Sequence, residues 1–138
     1  MRIRPMEPTE KSEIDRWALL YWKLNHTIPW KLIVEPWVCV DEKDKILAFV
    51  NTFPTDTGSI VRFITYTMAN PDIKSSKKHA AIEFLLNGLE DRFIEDGDSY
   101  IATVTGSEQL ISVLKEKVRF IEGEKGSILL KRIGRRKK

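Results

Sequence analysis

The feature that most constrains the fold of this chain is a long amphipathic segment between two β-prone runs. Apolar residues recur along it at positions i, i+3, i+4, i+7 and i+11, the spacing of one helix face: Ile82, Leu85, Leu86, Leu89 and Phe93. The run before it covers residues 60–68 and stops at Asn70-Pro71, and the run after it covers residues 100–104. Because a helix between two strands carries the chain back across the sheet, this unit predicts a pair of parallel strands.

Shorter signals on either side of this unit predict antiparallel strands. A short strand around Ile3 stops at Pro5, and residues 37–40 and 46–50 flank a charged turn, as in a β-hairpin. A closing hairpin is predicted at Phe120-Ile121 and residues 127–133, around Gly123 and Gly126. Most neighbouring strands in the predicted sheet are therefore antiparallel.

Two further helices are predicted on either side of the long one. The first runs from Thr9 as a cap to near Asn25, with an apolar stripe of Ile14, Trp17, Ala18 and Tyr21. The second is short, is capped by Ser107 and carries Leu110, Val113 and Leu114. The segment between Pro29 and Pro36 fits either another helix or an irregular cover. The chain is therefore predicted to be an α+β protein, with a mixed, mostly antiparallel central sheet flanked by helices.

Length and composition place this sheet in one domain. The 138 residues are 42% hydrophobic and 31% charged, which suits one core; we expect a single domain at residues 1–133 and a basic tail at 134–138. No run approaches the roughly 18 apolar residues of a membrane span, and no apolar signal segment follows the first residues, so we expect no membrane association and no export. The single Cys39 favours a reducing cytoplasm, with the thiol acting as a small buried hydrophobe.

The net charge of +3 is unevenly distributed. Six basic residues and no acid lie within residues 131–138, so the first 130 residues carry a net charge of −3. Such a tail favours either non-specific contact with nucleic acid phosphates or a role as a solubilising terminus.

Several segments resemble the GNAT family of N-acetyltransferases, over essentially the whole chain. The opening Ile3-Arg4-Pro5-Met6-Glu7-Pro8-Thr9 is similar to the family's first strand and turn, and Lys45-Ile46-Leu47-Ala48-Phe49-Val50 to its third strand. Ala69-Asn70-Pro71-Asp72-Ile73-Lys74 resembles the end of the fourth strand and the approach to the acyl-CoA loop, and residues 107–120 fall where the family has its last helix. The resemblance implies a GNAT-like fold and an acyl-CoA-dependent N-acetyltransferase, with acetyl-CoA or another acyl-CoA as cofactor and an amine as substrate.

The acyl-CoA loop of this family binds a pyrophosphate at a helix start, where unpaired N–H groups and the helix dipole favour anions. The resemblance places the cofactor at Ala69, Lys74, Ser75, Ser76, Lys77, Lys78 and His79. Lys77 and His79 occupy the two positions at which the family has small residues that admit the phosphates. Two interpretations follow: either the lysines and serines bind the phosphates by charge and hydrogen bonds, or the loop has lost its ligand and is a solvated turn.

The family's usual acid and base are not evident in this sequence. Lys115 stands where the last helix would carry a tyrosine, and Arg119 stands at the glycine of a Gly-Phe pair. Residues 60–68 contain no acid, and Tyr66 is the candidate there for proton transfer, with core packing as the alternative. His79 can titrate near neutral pH but faces the phosphates in the resemblance, and His26 lies in the unassigned segment. The sequence has no metal-ligand spacing.

These departures favour a second hypothesis, in which the chain is a catalytically silent GNAT-like module used for binding or as a structural part of a virion. Small degenerate proteins of this kind are similar to ones carried by tailed bacteriophages. Aromatic residues crowd the first 37 positions and suit a substrate cleft, a protein interface or simple helix packing: Trp17, Tyr21, Trp22, Trp30 and Trp37.

Overall fold

The computed structural model describes residues 1–22, 28–53, 61–104, 108–122 and 128–133. Along the chain the elements are β1 (Arg2–Pro5), α1 (Lys11–Trp22), β2 (Glu35–Val40), β3 (Ile46–Phe53), β4 (Val61–Ala69), α2 (Ser75–Glu95), β5 (Tyr100–Val104), α3 (Glu108–Glu116), β6 (Ile121–Glu122) and β7 (Ile128–Arg132). Short 3₁₀ turns lie at Pro8–Glu10 and Trp30–Leu32. Some predictions fall outside the described residues: those for Asn25, His26, Ser107, Gly123, Gly126 and the tail at 134–138.

The seven strands form one sheet in the order β1-β2-β3-β4-β5-β7-β6. Among the strands of the described residues, only β4 and β5 are parallel, and α2 connects them across one face, as the strand-helix-strand pattern predicts. All other neighbouring strands are antiparallel. The predicted α+β class and mostly antiparallel sheet are therefore confirmed.

Two hydrophobic clusters cover the two faces of the sheet. On one face, α2 and α3 pack over strand residues that include Leu47, Ile64 and Ile101. On the other face, Trp17 of α1 packs with Phe49 of β3 and their neighbours. Alternate strand residues point to opposite faces, so a strand buried on both sides is apolar throughout. This explains why residues 46–50 are a continuous apolar run in the sequence.

The first α-helix begins at Lys11, one residue later than a cap at Thr9 predicts. Thr9 lies inside the 3₁₀ turn, and Glu7 is the residue that caps it. The backbone N–H of Glu7 donates to the carboxylate of Glu10 at 2.9 Å, and the N–H of Glu10 donates to the carbonyl of Glu7. The Glu10 side chain also binds Arg4 of β1, which lowers the pKa of this carboxyl. This contact ties the start of α1 to the edge of the sheet.

The segment between Pro29 and Pro36 is an irregular cover with a single 3₁₀ turn. The carboxylate of Asp15 in α1 accepts hydrogen bonds from the backbone N–H of Ile28 and the indole of Trp30. The buried Asn51 accepts the backbone N–H groups of Val34 and Glu35 with one side-chain oxygen. These long-range hydrogen bonds hold the segment in place, although it forms no α-helix.

A buried arginine holds the first end of β4. Arg62 donates at 2.9 Å to three carboxylates, those of Glu35, Asp96 and Asp98. Its guanidinium carbon also lies 4.5 Å from the ring centroid of Phe93 in α2. The sequence does not predict this cluster, because the three carboxylates and the ring that contact Arg62 all lie outside β4.

Candidate functional site

The parallel strands β4 and β5 form a fork because they pair at one end only. Their register joins Val61, Arg62 and Phe63 to Tyr100, Ile101 and Ala102. One residue further, the hydroxyl of Thr103 donates to the carbonyl of Ile64 at 2.9 Å and closes the inner end of the fork. Beyond that contact, the described residues of the two strands share no ladder pairing, so residues 65–69 of β4 have no pairing partner on the described part of β5.

A β-bulge in β4 opens this fork. Phe49 of β3 pairs with Met68, and Asn51 pairs with Thr65, so two steps along β3 match three along β4. Within the bulge, Tyr66 has a φ of 56°, in the left-handed region that residues other than glycine adopt rarely. A bulge bends and twists its strand, and this one lies just beyond the last described pairing of β4 with β5.

Tyr66, the predicted catalytic candidate, therefore lies at the bend of β4. Its side chain is half-buried and packs against the cluster beneath α1. Next to it, the side-chain amide of Asn51 donates to the hydroxyl of Thr65 at 3.1 Å and ties the bulge to β3. The structure thus places Tyr66 within the fork, apart from the predicted cofactor residues at the start of α2.

A tyrosine from α1 contacts the outer end of the fork. The hydroxyl of Tyr21 donates to the backbone carbonyl of Ala69 at 2.8 Å. The ammonium of Lys78 lies 5.9 Å from the centroid of the Tyr21 ring. Partial burial, and to a lesser extent the charge of Asp72, raise the pKa of Tyr21, which favours the neutral phenol that donates this bond.

The turn between β4 and α2 is built around Asn70. Its side-chain N–H donates to the carbonyl of Ile46 at 3.0 Å, and its side-chain oxygen accepts the backbone N–H of Asp72 at 2.9 Å. Asp72 in turn forms a 2.7 Å ion pair with Arg16 of α1. These bonds fix the path of the chain at Pro71 and direct the start of α2 toward the open end of the fork.

The first turn of α2 has the donors of an anion site. Lys74 occupies the N-cap position without a side-chain capping bond, and the turn contains no acid. Lys78 is half-buried and the other predicted loop residues are exposed: Lys74, Ser75, Ser76, Lys77 and His79. The structure therefore gathers all the predicted cofactor residues, together with Ala69, at one end of the fork.

Asp41, in the turn between β2 and β3, is the acid whose charge interacts with this loop. The backbone N–H groups of Lys45 and Lys43 donate to its carboxylate and lower its pKa, and the charge of Lys77 adds to that effect. Asp41 is half-buried and Lys77 is exposed, so water partly screens the attraction between the two charges.

No protein-family model and no curated protein sequence matches this chain. Solved structures of GNAT acetyltransferases do match it. A GNAT-family acetyltransferase from Staphylococcus aureus Mu50 superimposes with a TM-score of 0.74 at 9% identity, over 96% of this chain and 99% of the other. The chain has the GNAT fold.

Two other structures show the same likeness. The ribosomal-protein-S18-alanine N-acetyltransferase from Escherichia coli has a TM-score of 0.72 at 13% identity, over 99% of this chain and 96% of that one. A GNAT-family N-acetyltransferase from Escherichia coli, determined in complex with CoA, has a TM-score of 0.67 at 14% identity, over 96% and 81% of the two chains. At these identities the likeness establishes the fold, and the activity is argued separately below.

The residue that stands in place of the expected glycine lies three positions after the end of α3 at Glu116. Arg119 has a φ of 69°, the left-handed conformation that glycine adopts without strain. The next residue, Phe120, is buried, and its N–H donates to the carbonyl of Leu114 at 2.8 Å. The backbone of a Gly-Phe pair is therefore retained here, although the glycine itself is not.

The described residues contain neither a membrane-spanning helix nor a metal-binding cluster. None of the helices there combines the length and hydropathy that a bilayer crossing requires. The same residues contain no group of three His, Cys, Asp or Glu side chains arranged to hold a metal ion.

The sequence alone does not indicate the parts that Thr103 and Tyr21 take in the fork. Each side chain donates a hydroxyl hydrogen bond to a backbone carbonyl of β4 that is distant in the chain.

Proposed function

We propose that this chain binds an acyl-CoA in the fork between β4 and β5 and transfers the acyl group to an amine. The observation that carries the proposal is the fork itself: residues 65–69 have no ladder partner on the described part of β5, and they lead directly to the uncapped, basic start of α2. The comparison with GNAT acetyltransferases, among them complexes with CoA, supports the same assignment.

The charges of the site suit the two ends of such a ligand. The phosphates would bind at the start of α2, where N–H groups of the first turn combine with Lys74, Lys77 and the two serines. The side chains of Lys77 and His79 are exposed, so they lie in solvent rather than in the fork. Charge-assisted hydrogen bonds from side chains would therefore bind the phosphates, in place of the close backbone contact that small residues permit.

The acyl group would lie near the bulge, where Tyr66 is placed. When an amine displaces the CoA sulfur, the amine must lose a proton and the leaving thiolate must gain one. Among the described residues of β4 and its bulge, Tyr66 is the side chain that can exchange a proton at this position. We assign it as the candidate for proton transfer, with Ala69 and the α2 start as the binding residues.

Calorimetric titration with acetyl-CoA tests the binding half of the proposal. Ligand at about 100 times its dissociation constant raises the unfolding free energy by ~2.7 kcal/mol, so the melting temperature must rise with acetyl-CoA. A panel of primary amines with a thiol assay for released CoA then tests transfer. Failure to bind CoA contradicts the proposal as a whole, whereas binding without turnover contradicts only the catalytic half.

A silent GNAT-fold module, of the bacteriophage virion kind or another, is the second candidate. It is favoured by Lys77 and His79 at the small-residue positions, and by the bond of Tyr21 to the Ala69 carbonyl. Under this alternative the protein would act through a protein partner or through its basic tail. Deletion of residues 134–138 would then abolish salt-sensitive binding to DNA, while full-length protein without such binding excludes the nucleic acid role.

A further inference from the structure

We propose that the sheet face opposite α2 binds a single strand of nucleic acid, with aromatic side chains stacking on its bases. This role goes beyond the proposed acyl transfer and does not depend on it. The central feature is Phe63, which lies on β4, the fourth strand of the sheet, and is 45% exposed. A phenylalanine on a central strand is normally covered by a helix or a second sheet, so this exposure calls for an explanation.

The alternation of side chains along β4 places Phe63 on the face away from α2. Its neighbours Arg62 and Ile64 both point to the α2 side, where Arg62 binds Asp98 and Ile64 packs in the cluster beneath α2. Successive side chains of a strand point to opposite faces, so Phe63 points the other way. On that face α1 packs over Phe49, and neither hydrophobic cluster of the described residues includes Phe63.

Two further aromatic side chains share this part of the face. Phe53 of β3 is paired directly with Phe63, and paired residues of neighbouring strands point to the same side. Tyr100 of β5 is paired with Val61, which precedes Phe63 by two positions on β4. Both side chains are half-buried. Phe53, Phe63 and Tyr100 therefore form an aromatic face that extends across three adjacent strands.

The charges around the aromatic face favour an anionic partner. Arg132 of β7 is paired with Tyr100 and is exposed on the same side of the sheet. The strands β3, β4, β5 and β7 contain no Asp or Glu. Asp96 and Asp98, which precede β5, instead bind Arg62 on the α2 side. An anion that approaches the aromatic face therefore meets a cation and no acid of these strands.

The basic tail begins beside the same face. Ile133, the last described residue, donates its backbone N–H to the carbonyl of Ser99 at 2.8 Å, next to Tyr100. Residues 134–138 follow it and contain four basic side chains and no acid. Proteins bind single strands without sequence preference by combining stacking rings with neighbouring cations. A duplex keeps its bases stacked inside, so an unpaired strand is the partner that can use these rings.

The test measures the binding of a fluorescent oligothymidylate of about 12 nucleotides. An abasic strand of the same length keeps the phosphates but has no bases to stack. We expect Phe63→Leu to bind the oligothymidylate about tenfold more weakly than wild type, and Phe63→Tyr, which keeps a ring, to bind it normally. Phe84→Leu, the same change at a phenylalanine that is 41% exposed on α2, is the matched control and should bind like wild type. All four proteins should bind the abasic strand equally.

Three outcomes overturn the inference. They are equal affinity of wild type and Phe63→Leu for the oligothymidylate, equal affinity of wild type for the two strands, and failure of wild type to bind the oligothymidylate. In the last case sedimentation of wild type and Phe63→Leu shows whether the face instead joins two copies of the chain. Tyr100→Leu, which removes a second ring of the aromatic face, provides the same test should Phe63→Leu fail to fold. None of these outcomes bears on CoA binding, so the proposed transferase activity is tested separately.

Discussion

The hydroxyl of Tyr21 in α1 donates a 2.8 Å hydrogen bond to the carbonyl of Ala69, the last residue of β4. This bond joins the two residues 48 positions apart at the point where β4 leaves the sheet and turns toward α2. The ion pair between Arg16 and Asp72 connects the same helix to the same turn. The first helix therefore braces the outer end of the fork, opposite the closure by Thr103.

Removal of this phenolic hydroxyl should destabilise the protein. We expect Tyr21→Phe to lower the unfolding free energy by about 1 kcal/mol, because the ring stays and one hydrogen bond is lost. Tyr21→Ala should cost more, since it also removes the packed ring and its contact with Lys78. Urea denaturation of the three proteins measures both effects, and equal stability of Tyr21→Phe and wild type would show that the bond contributes nothing.

The basic residues at the start of α2 should determine the salt dependence of CoA binding. The double variant Lys74→Ala, Lys77→Ala should bind CoA roughly tenfold more weakly at low salt, with a shallower decline as salt increases. Lys43→Ala, a change of the same kind at an exposed lysine in the β2–β3 turn, is the control and should bind normally. Identical titrations at 20 and 300 mM salt distinguish these cases, and parallel salt slopes for wild type and the double variant would contradict the assignment.

The buried Arg62 should be essential for stability. Arg62→Ala removes the guanidinium that donates to Asp98, whose side chain is only 7% exposed, so we expect a loss of about 3–5 kcal/mol. Arg62→Lys should recover little, because one ammonium cannot replace three directed guanidinium bonds. Arg2→Ala removes an exposed pair with Asp44 and should cost under about 1 kcal/mol in the same denaturation experiment.

A glycine at position 119 should stabilise the end of α3. Arg119→Gly relieves the left-handed strain at φ 69° and should raise the unfolding free energy by up to about 1 kcal/mol. Arg119→Ala removes the same charge but keeps a β-carbon, so it should bring no such gain. A melting temperature that rises equally in both variants would assign the effect to charge rather than to backbone conformation.

The buried thiol of Cys39 should make stability fall at alkaline pH. Burial raises the pKa of Cys39 from 9.0 to about 11, so the folded protein disfavours the thiolate. The resulting stability is fully present below the unfolded pKa and is lost as the pH rises from about 9 to about 11. Melting temperatures between pH 8 and 11 should decline less steeply for Cys39→Ala than for wild type, and parallel curves would contradict this prediction.

The order of helices and strands could be predicted from the sequence because local periodicity determines it. The spacing from Ile82 to Phe93 predicts α2, and its place between two strands predicts the parallel pair that the structure contains. The burial of Cys39 followed from composition alone. The start of α1 was misplaced because the capping residue is Glu7, whose reciprocal bonds with Glu10 form only in the 3₁₀ turn.

The sequence by itself determined the elements, the fold class and the basic start of α2, since each depends on residues close together in the chain. Only the tertiary structure determined where the fork forms. The bulge at Tyr66 is a mismatch in register between β4 and β3, so it cannot be recognised from the residues of one strand. The three carboxylate partners of Arg62 and the bond from Tyr21 to Ala69 arise in the same way. Each is a relation between distant segments, and whether a polar atom has a partner is settled only when those segments pack together.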